Sequence, residues 1–405
     1  MTDALKPRDR KDVEDAVRWA LAEGKTFEVV GRGSKRALGR PSQSDLTLDL
    51  SGLVGVTLYE PEELVLSAKV GTPIADIEAL AESKGQQLAF EPMDYGPVLG
   101  FAANAGSLGG VLATNLSGPR RIKAGAARDH FLGVGAVSGR GEAFKSGGRV
   151  VKNVTGYDLC KVLAGSFGTL AAMTEATIKV LPAPETEATV LLTGLDDVAA
   201  SRAMSTAMAS ACDVSAAAHL PRDVAARLPA LSGSSAATSF RLEGVAPSVE
   251  HRKETLMKLL KTFGAAEQLA SGQSHVLWRS VRDAIPFATG NQWGGWPLWR
   301  ISTAPTRGVE LAAGLPGEAQ FFYDWAGGLV WAAMPPSDDA GAGIVCAAAV
   351  ATGGHATLVR APAAVRASID VFQRQGGPLA AVTRRVKESF DPKGVLNPGR
   401  MWAGI

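Results

Sequence analysis

Two cations and a hydroxyl stand inside one tight turn, Gly31-Arg32-Gly33-Ser34-Lys35, directly after the strand-like run Phe27-Glu28-Val29-Val30. Glycines at alternate positions let a backbone bend sharply and aim several amide N–H groups at one anion, with Lys35 and Ser34 beside them. A plain strand-ending turn is the competing reading. A second run, Gly106-Ser107-Leu108-Gly109-Gly110-Val111-Leu112-Ala113-Thr114-Asn115, pairs a hydroxyl with adjacent glycines and then small residues at helical spacing. Small side chains admit a ligand close to the backbone, and the start of the new helix is expected to face a pyrophosphate. A third cluster runs from Val151 through Gly156-Tyr157-Asp158-Leu159 to Gly165-Ser166-Phe167-Gly168-Thr169-Leu170. Three such loops in one region exceed what turns alone require and suit a long, doubly charged cofactor.

A Rossmann site does not fit. The third glycine of GxGxxG would fall on Arg36, and Gly39 with Pro41 leaves no room for the helix that motif must open. A Walker A sequence is missing as well.

The elements that must carry these loops are readable from periodicity. After the strand at 27–30, a second strand is predicted over 63–70. Thr72-Pro73 then reads as an N-cap with proline opening a helix, whose Ile74, Ile77, Leu80 and Ala81 share one face up to Gly85. Another strand is predicted at 87–90. The alternating run 174–181 meets Pro182 and Pro184, and a domain boundary is placed there. Beyond it, strands at 188–192, 213–220 and 238–242 alternate with helices at 196–210 and 248–263, the latter bearing Leu256, Leu259, Leu260 and Phe263. Residues 321–325 and 329–331 read as a hairpin through Ala326-Gly327-Gly328. The expected division is 1–184, 185–377 with an antiparallel α+β sheet, and a tail 378–405 that starts as a short helix.

The chain has 405 residues, 46% apolar and 20% charged, with a formal net charge of +2. Such a composition buries a sizeable core over two domains and lacks the basic footprint of a nucleic-acid binder. No pair among Cys160, Cys212 and Cys346 has the spacing of a zinc site, an iron–sulfur cluster or a redox CxxC, and their odd number without a disulfide framework suits a reducing compartment. No apolar stretch approaches the roughly 20 residues of a membrane span, and no leader-like segment opens the sequence. A cytoplasmic protein is expected, with docking at the inner membrane through partners left open.

In their order these segments resemble the vanillyl-alcohol oxidase/PCMH-type flavoproteins: GRGSK after a strand, SLGG with ATN, GYDL with GSFGTL and TEATIKVLP, then DPKGVLNPGR near the end. The run VKNVTGYDLCKVLAGSFGTL is similar to the FAD-binding E subunits of bacterial glycolate oxidases. The resemblance covers about 1–184 and the last 25 or so residues. It implies an α+β protein, a two-subdomain PCMH-type FAD-binding domain with a ferredoxin-like cap. By that likeness Arg32, Gly33, Ser34 and Lys35 would meet the pyrophosphate. Pro92, Met93, Ser107, Leu108, Gly109, Gly110, Thr114, Ser117 and Gly118 would line the rest of FAD. Ile178 would offer its backbone at the adenine end, and Asn397 would approach the isoalloxazine. Relatives that tether flavin use a histidine or cysteine near the first loop. Positions 31–40 hold neither, so non-covalent FAD is expected.

The resemblance further implies oxidation of glycolate or another 2-hydroxy acid, with a larger FAD-binding subunit and an iron–sulfur subunit as partners. A stand-alone dehydrogenase and a scaffold that has lost its flavin are the alternatives. No catalytic residue is assigned. His355 lacks the partner histidine of a metal pair and is expected to be structural, as is His130 ahead of its apolar strand. Arg120-Arg121-Ile122-Lys123 could attract an anionic substrate or partner, with a solvated basic loop as the favoured reading. Trp293, Trp296 and Trp299 mark either a docking surface or a plug in the cap.

Overall fold

The computed structural model describes residues 3–149, 156–231 and 235–405. A first helix, Arg10–Glu23, starts where Asp9 accepts a hydrogen bond from the Asp12 amide and ends at Gly24 in the left-handed region. It leads into Phe27–Val30, which pairs in parallel with Leu46–Asp49; Ala4–Leu5 flanks the other side of that strand. A second sheet is antiparallel, in the order Val56–Glu60, Val65–Lys69, Ala171–Lys179, Phe131–Ser138, Ala143–Gly147. Every residue of Phe131–Ser138 is buried, as a central strand covered on both faces requires. These two sheets are the two subdomains that the sequence led one to expect.

Two local expectations change. The strand at 87–90 shrinks to Gln86–Gln87, paired with Leu181–Pro182. Leu88, Ala89 and Phe90 drop into the core instead, because Glu91 turns at φ 47° and Pro92 has no amide to continue a ladder. The helix Ile74–Glu82 forms, but Thr72 does not cap it. Its hydroxyl donates to Lys69 O at 2.7 Å and accepts from the Gly55 amide at 3.0 Å, closing the preceding turn.

The cap is one eight-stranded antiparallel sheet built from two βαββαβ units. The first runs Thr186–Thr193, helix Asp197–Met208, Ala216–Leu220, Ala237–Gly244, helix Ala246–Leu260, Ala266–Leu269. The second runs Leu298–Ser302, helix Gly308–Ala313, Gln320–Asp324, Leu329–Ala333, helix Ala342–Ala351, His355–Arg360. In each unit the last strand adds beside the first, which is the ferredoxin-like order. The units join edge to edge where His219 faces Tyr323. Asp197 bridges that seam, accepting from Tyr323 Oη at 2.8 Å and lying 3.2 Å from His219 Nε2.

The tail opens with a full helix, Gly377–Phe390, longer than expected. Its buried Lys387 donates to Asp391 Oδ2 (2.7 Å), Thr169 O (2.6 Å) and Leu396 O (3.1 Å). Asp391 in turn accepts the amides of Val395 and Leu396. This fold-back delivers Leu396 beside Phe27, so the tail extends the first sheet: the Phe27 amide donates to Val395 O, and the Asn397 amide to Phe27 O.

Candidate active site

The turn after Phe27–Val30 and the helix Leu108–Thr114 meet across a cavity of about 780 Å³ between the two sheets of the first domain. Arg32, Gly33, Ser34, Lys35, Ser107, Gly109, Gly110, Thr114 and Asn397 all line it. Contact between the loops is close. A Cβ on Gly31 would stand 2.5 Å from Ser107 Oγ, and one on Gly106 or Gly110 would stand 3.4–3.5 Å from Lys35 Nζ. Gly33 sits at φ 78°, where only glycine is unstrained. Among the described residues the amides of Gly33, Ser34 and Lys35 have no acceptor. Lys35 has no ion-pair partner there either, and burial holds its ammonium down to about 8, with Asp94 pulling the other way.

The second loop works differently from its sequence reading. The Leu108 amide donates to Thr72 O and the Gly109 amide to Val70 O, while Ser107 Oγ accepts from Gly110. These groups tie the loop to the strand Val65–Lys69 and its turn, so the amides of Leu108 and Gly109 are occupied while those of 33–35 are not. Gly109 is required for that approach, since a Cβ would come 2.8 Å from Val70 Cβ. Thr114 donates its hydroxyl to Gly110 O. Asn397 forms part of the wall, but its amide accepts from Val29 N and donates to Phe167 O, both at 2.8 Å. It holds the wall together rather than presenting free hydrogen-bonding groups. Arg400, which the sequence reading passed over, clasps the first turn by donating to Lys35 O and Arg36 O at 3.0 Å.

Thr114 and Phe167 are shared with a second, open cavity of about 1550 Å³ that extends to the cap. Met93 and Ser117 line it. Pro92, Leu108, Gly118 and Ile178 line neither cavity: Leu108 and Ile178 are core, Ile178 between Leu66 and Phe131 on its sheet, and Gly118 packs on Glu91. At the cap end two guanidinium groups lie over the Trp325 ring, Arg121 at 4.3 Å and Arg300 at 4.8 Å from its centroid. Neither arginine has a carboxylate within ion-pair distance among the described residues. Both are depressed below the ordinary arginine value, by burial first and, for Arg121, by Arg300 next. His355 lines the same cavity, and burial with the charges of Arg300 and Arg121 lowers its pKa. The arrangement suits a small carboxylate beside a neutral imidazole.

The comparisons agree with this architecture. The family profile described as "FAD binding domain" matches residues 4–147, and "FAD linked oxidases, C-terminal domain" matches 366–401. Glycolate oxidase subunit GlcE of Escherichia coli (strain K12) is 34% identical over 394 residues, covering 96% of this chain and 97% of that protein. The chain belongs to the GlcE family of FAD-linked oxidases. Its members thus include this FAD-dependent oxidoreductase. Glycolate oxidase subunit GlcD of Bacillus subtilis (strain 168) is 32% identical over 166 residues, 40% of this chain and 34% of its own length. Among solved structures, p-cresol methylhydroxylase with substrate bound superimposes with a TM-score of 0.72 at 11% identity, over 98% of this chain and 88% of that one. At that identity the likeness concerns the fold alone.

The remaining candidates of this GlcE-family chain fall into place as follows. His130 is buried, with Nε2 2.9 Å from Ala124 O, and His219 is buried against Thr238 and Asp197; both pack as structural groups. The basic run divides. Arg120 is half-buried and forks onto Glu243, Arg121 faces the cavity, and Lys123 pairs with Asp213. It is not simply a solvated loop. His355, expected to be structural, lines the open cavity. Trp299 is core, donating to Ala340 O, and Trp293 is buried under the Arg227 guanidinium, so the tryptophan run is no exposed docking patch. Residues 151–155 of the third cluster lie outside the described residues; of its second part, Phe167 and Gly168 reach the first cavity.

Proposed function

We propose that this chain is an FAD-bearing subunit of an assembly that oxidises glycolate to glyoxylate and hands the electrons to an iron–sulfur partner. The two uncompensated guanidinium groups of Arg121 and Arg300, one from each domain and both over Trp325, carry the proposal. The amides of Gly33, Ser34 and Lys35, with the Lys35 ammonium, would hold the diphosphate of FAD, and Phe167, shared by both cavities, would border its ring end. No histidine or cysteine lines the first cavity, which supports non-covalent binding. When bound, the flavin supplies a hydride acceptor. Arg121 and Arg300 bind and orient the substrate carboxylate. His355, exposed at the start of its strand but with its pKa lowered by partial desolvation and by both arginines, takes the hydroxyl proton.

The names of the GlcE and GlcD relatives, each a glycolate oxidase subunit, support a multi-subunit assembly, and a larger FAD-binding subunit is part of the proposal. No helix of the described residues is long and apolar enough to cross a membrane, so a cytoplasmic place, peripheral to the inner membrane through partners, is part of the proposal.

The test is steady-state oxidation of glycolate and D-lactate by the FAD-loaded chain, alone and in its native complex, with an artificial acceptor. Arg300→Gln and Arg121→Gln are each expected to raise KM about 10- to 100-fold, the worth of a charge-assisted hydrogen bond. Unchanged KM in both variants refutes the carboxylate assignment.

A further inference from the structure

Glu91 stands where the two domains touch, and its geometry is unusual for a non-glycine residue. It adopts φ 47°, and its half-buried carboxylate, 14% exposed, borders a surface pocket that Arg120, Arg241 and Glu243 also line. From the cap, Arg241 donates through both terminal nitrogens, Nη1 to Oε1 and Nη2 to Oε2, each at 2.8 Å. From its own domain the Arg120 amide donates to Oε2 at 2.7 Å. Arg120 then reaches back across the domain boundary, forking onto Glu243 at 3.0 and 2.6 Å. Burial pushes the Glu91 carboxyl up, yet the two arginines hold it down at about 2, so it is a carboxylate throughout the working range.

The next turn connects this bridge to the substrate cavity. The Gly118 amide donates to Phe90 O, one residue before Glu91, and a Cβ on Gly118 would collide with Glu91 O at 2.7 Å. The Gly118 carbonyl is a shared acceptor, taking the Arg121 amide at 3.1 Å and Trp325 Nε1 at 3.0 Å. Trp325 and Ala326 are themselves held at φ 52° and 55°, and Asp324 fixes that elbow by accepting the Trp325 amide at 2.7 Å. Strained backbone therefore occurs on both sides of one contact, where the surroundings must over-determine it.

We infer that Glu91 is a positioning residue for the substrate-carboxylate site: by fixing the Gly118–Arg121 turn against the cap, it sets the spacing of Arg121 and Arg300 over Trp325. Glu91 touches neither cavity's contents and lines neither. This inference rests on the reading of that arginine pair as the carboxylate site. Removing its charge breaks the forked pair with Arg241, which keeps only the looser contacts to Glu243 at 3.5 Å and Glu187 at 3.9 Å, so the turn and the cap lose their common anchor.

The experiment compares the FAD-loaded wild type with Glu91→Gln, Glu91→Asp, Arg121→Gln and Arg300→Gln. It reads the binding of oxalate, an unreactive two-carbon acid, through the change in flavin absorption, together with KM and kcat for glycolate. Glu91→Gln is expected to weaken oxalate and raise KM roughly 10- to 100-fold, as small displacements of binding groups do, with kcat less affected. Glu91→Asp keeps the charge and is expected to recover part of the loss. Weakened oxalate binding in the two arginine variants with wild-type binding in Glu91→Gln overturns the positioning role and leaves the site assignment intact. Wild-type binding in both arginine variants overturns the site assignment itself. Should Glu91→Gln fail to load FAD, Glu91→Asp decides: unchanged oxalate affinity there overturns the inference.

Discussion

Replacing Lys35 with methionine keeps the length of the side chain, deletes its charge, and separates two quantities that usually move together. Without a cofactor, burial holds this ammonium down to about 8 against an ordinary 10.5. Below pH 8 the native state thus carries a poorly hydrated charge that the unfolded chain keeps in water. The depression corresponds to a destabilisation on the order of 2–3 kcal/mol at pH 7, reduced by whatever part of the side chain still meets solvent. This cost fades as pH rises from about 8 toward the unfolded value. Lys35→Met is therefore expected to melt higher than wild type as apoprotein at pH 7, with the difference vanishing near pH 10. Toward FAD the sign reverses. A diphosphate would compensate the ammonium and raise its pKa, so wild-type affinity falls above pH 8 by up to about tenfold per pH unit. The variant is expected to bind FAD about 10- to 100-fold more weakly at pH 7, with little pH dependence. Thermal melts of the apoprotein and titration with FAD from pH 7 to 9.5 measure both effects. An apoprotein destabilised by the substitution, joined to wild-type affinity for FAD, refutes the reasoning.

Other outcomes follow from the same geometry. Asp391→Ala strands Lys387 as a buried, uncompensated cation and orphans the Val395 and Leu396 amides, so denaturant unfolding is expected to show a loss of about 3–5 kcal/mol. Gly109→Ala drives a methyl into Val70 and is expected to cost about 1–3 kcal/mol and lower FAD occupancy, read from flavin absorption of the purified protein. Burial raises Asp324 to about 7, so the native state binds a proton that the unfolded chain releases near pH 4. Its contribution is therefore most favourable below pH 4 and is lost as pH rises to about 7, and Asp324→Asn, measured by urea unfolding, is expected to flatten that slope.

Residues near one another in sequence were the legible ones. The turn 31–35 could be read as an anion site because strand, glycines and cation are consecutive. The helix Ile74–Glu82 and both helices of the first ferredoxin-like unit declared themselves by their apolar period. What escaped depended on partners far along the chain. Nothing local says that Val70 and Thr72 will accept the amides of Gly109 and Leu108, or that Asn397 will have both ends of its amide occupied. Arg121, Arg300, Trp325 and His355 come from four separate segments, each ordinary by itself, and only the packing of cap on first domain unites them. The tryptophan run could not be divided locally for a related reason: alternation within Leu298–Ser302 sends Trp299 inward, Trp293 acquires the cover of Arg227 from beyond a remote helix, and Trp296 stays half-buried.

The hydrogen bonds from Arg400 to Lys35 O and Arg36 O span 365 and 364 positions. During synthesis the turn 31–35 leaves the ribosome 365 positions ahead of Arg400, which clasps it. A nascent chain therefore has no finished pocket to offer until Asn397 and Arg400 have emerged as well. A polypeptide that stops short of Asn397 has its second glycine loop tied to Val70 and Thr72 but lacks the groups that brace the first.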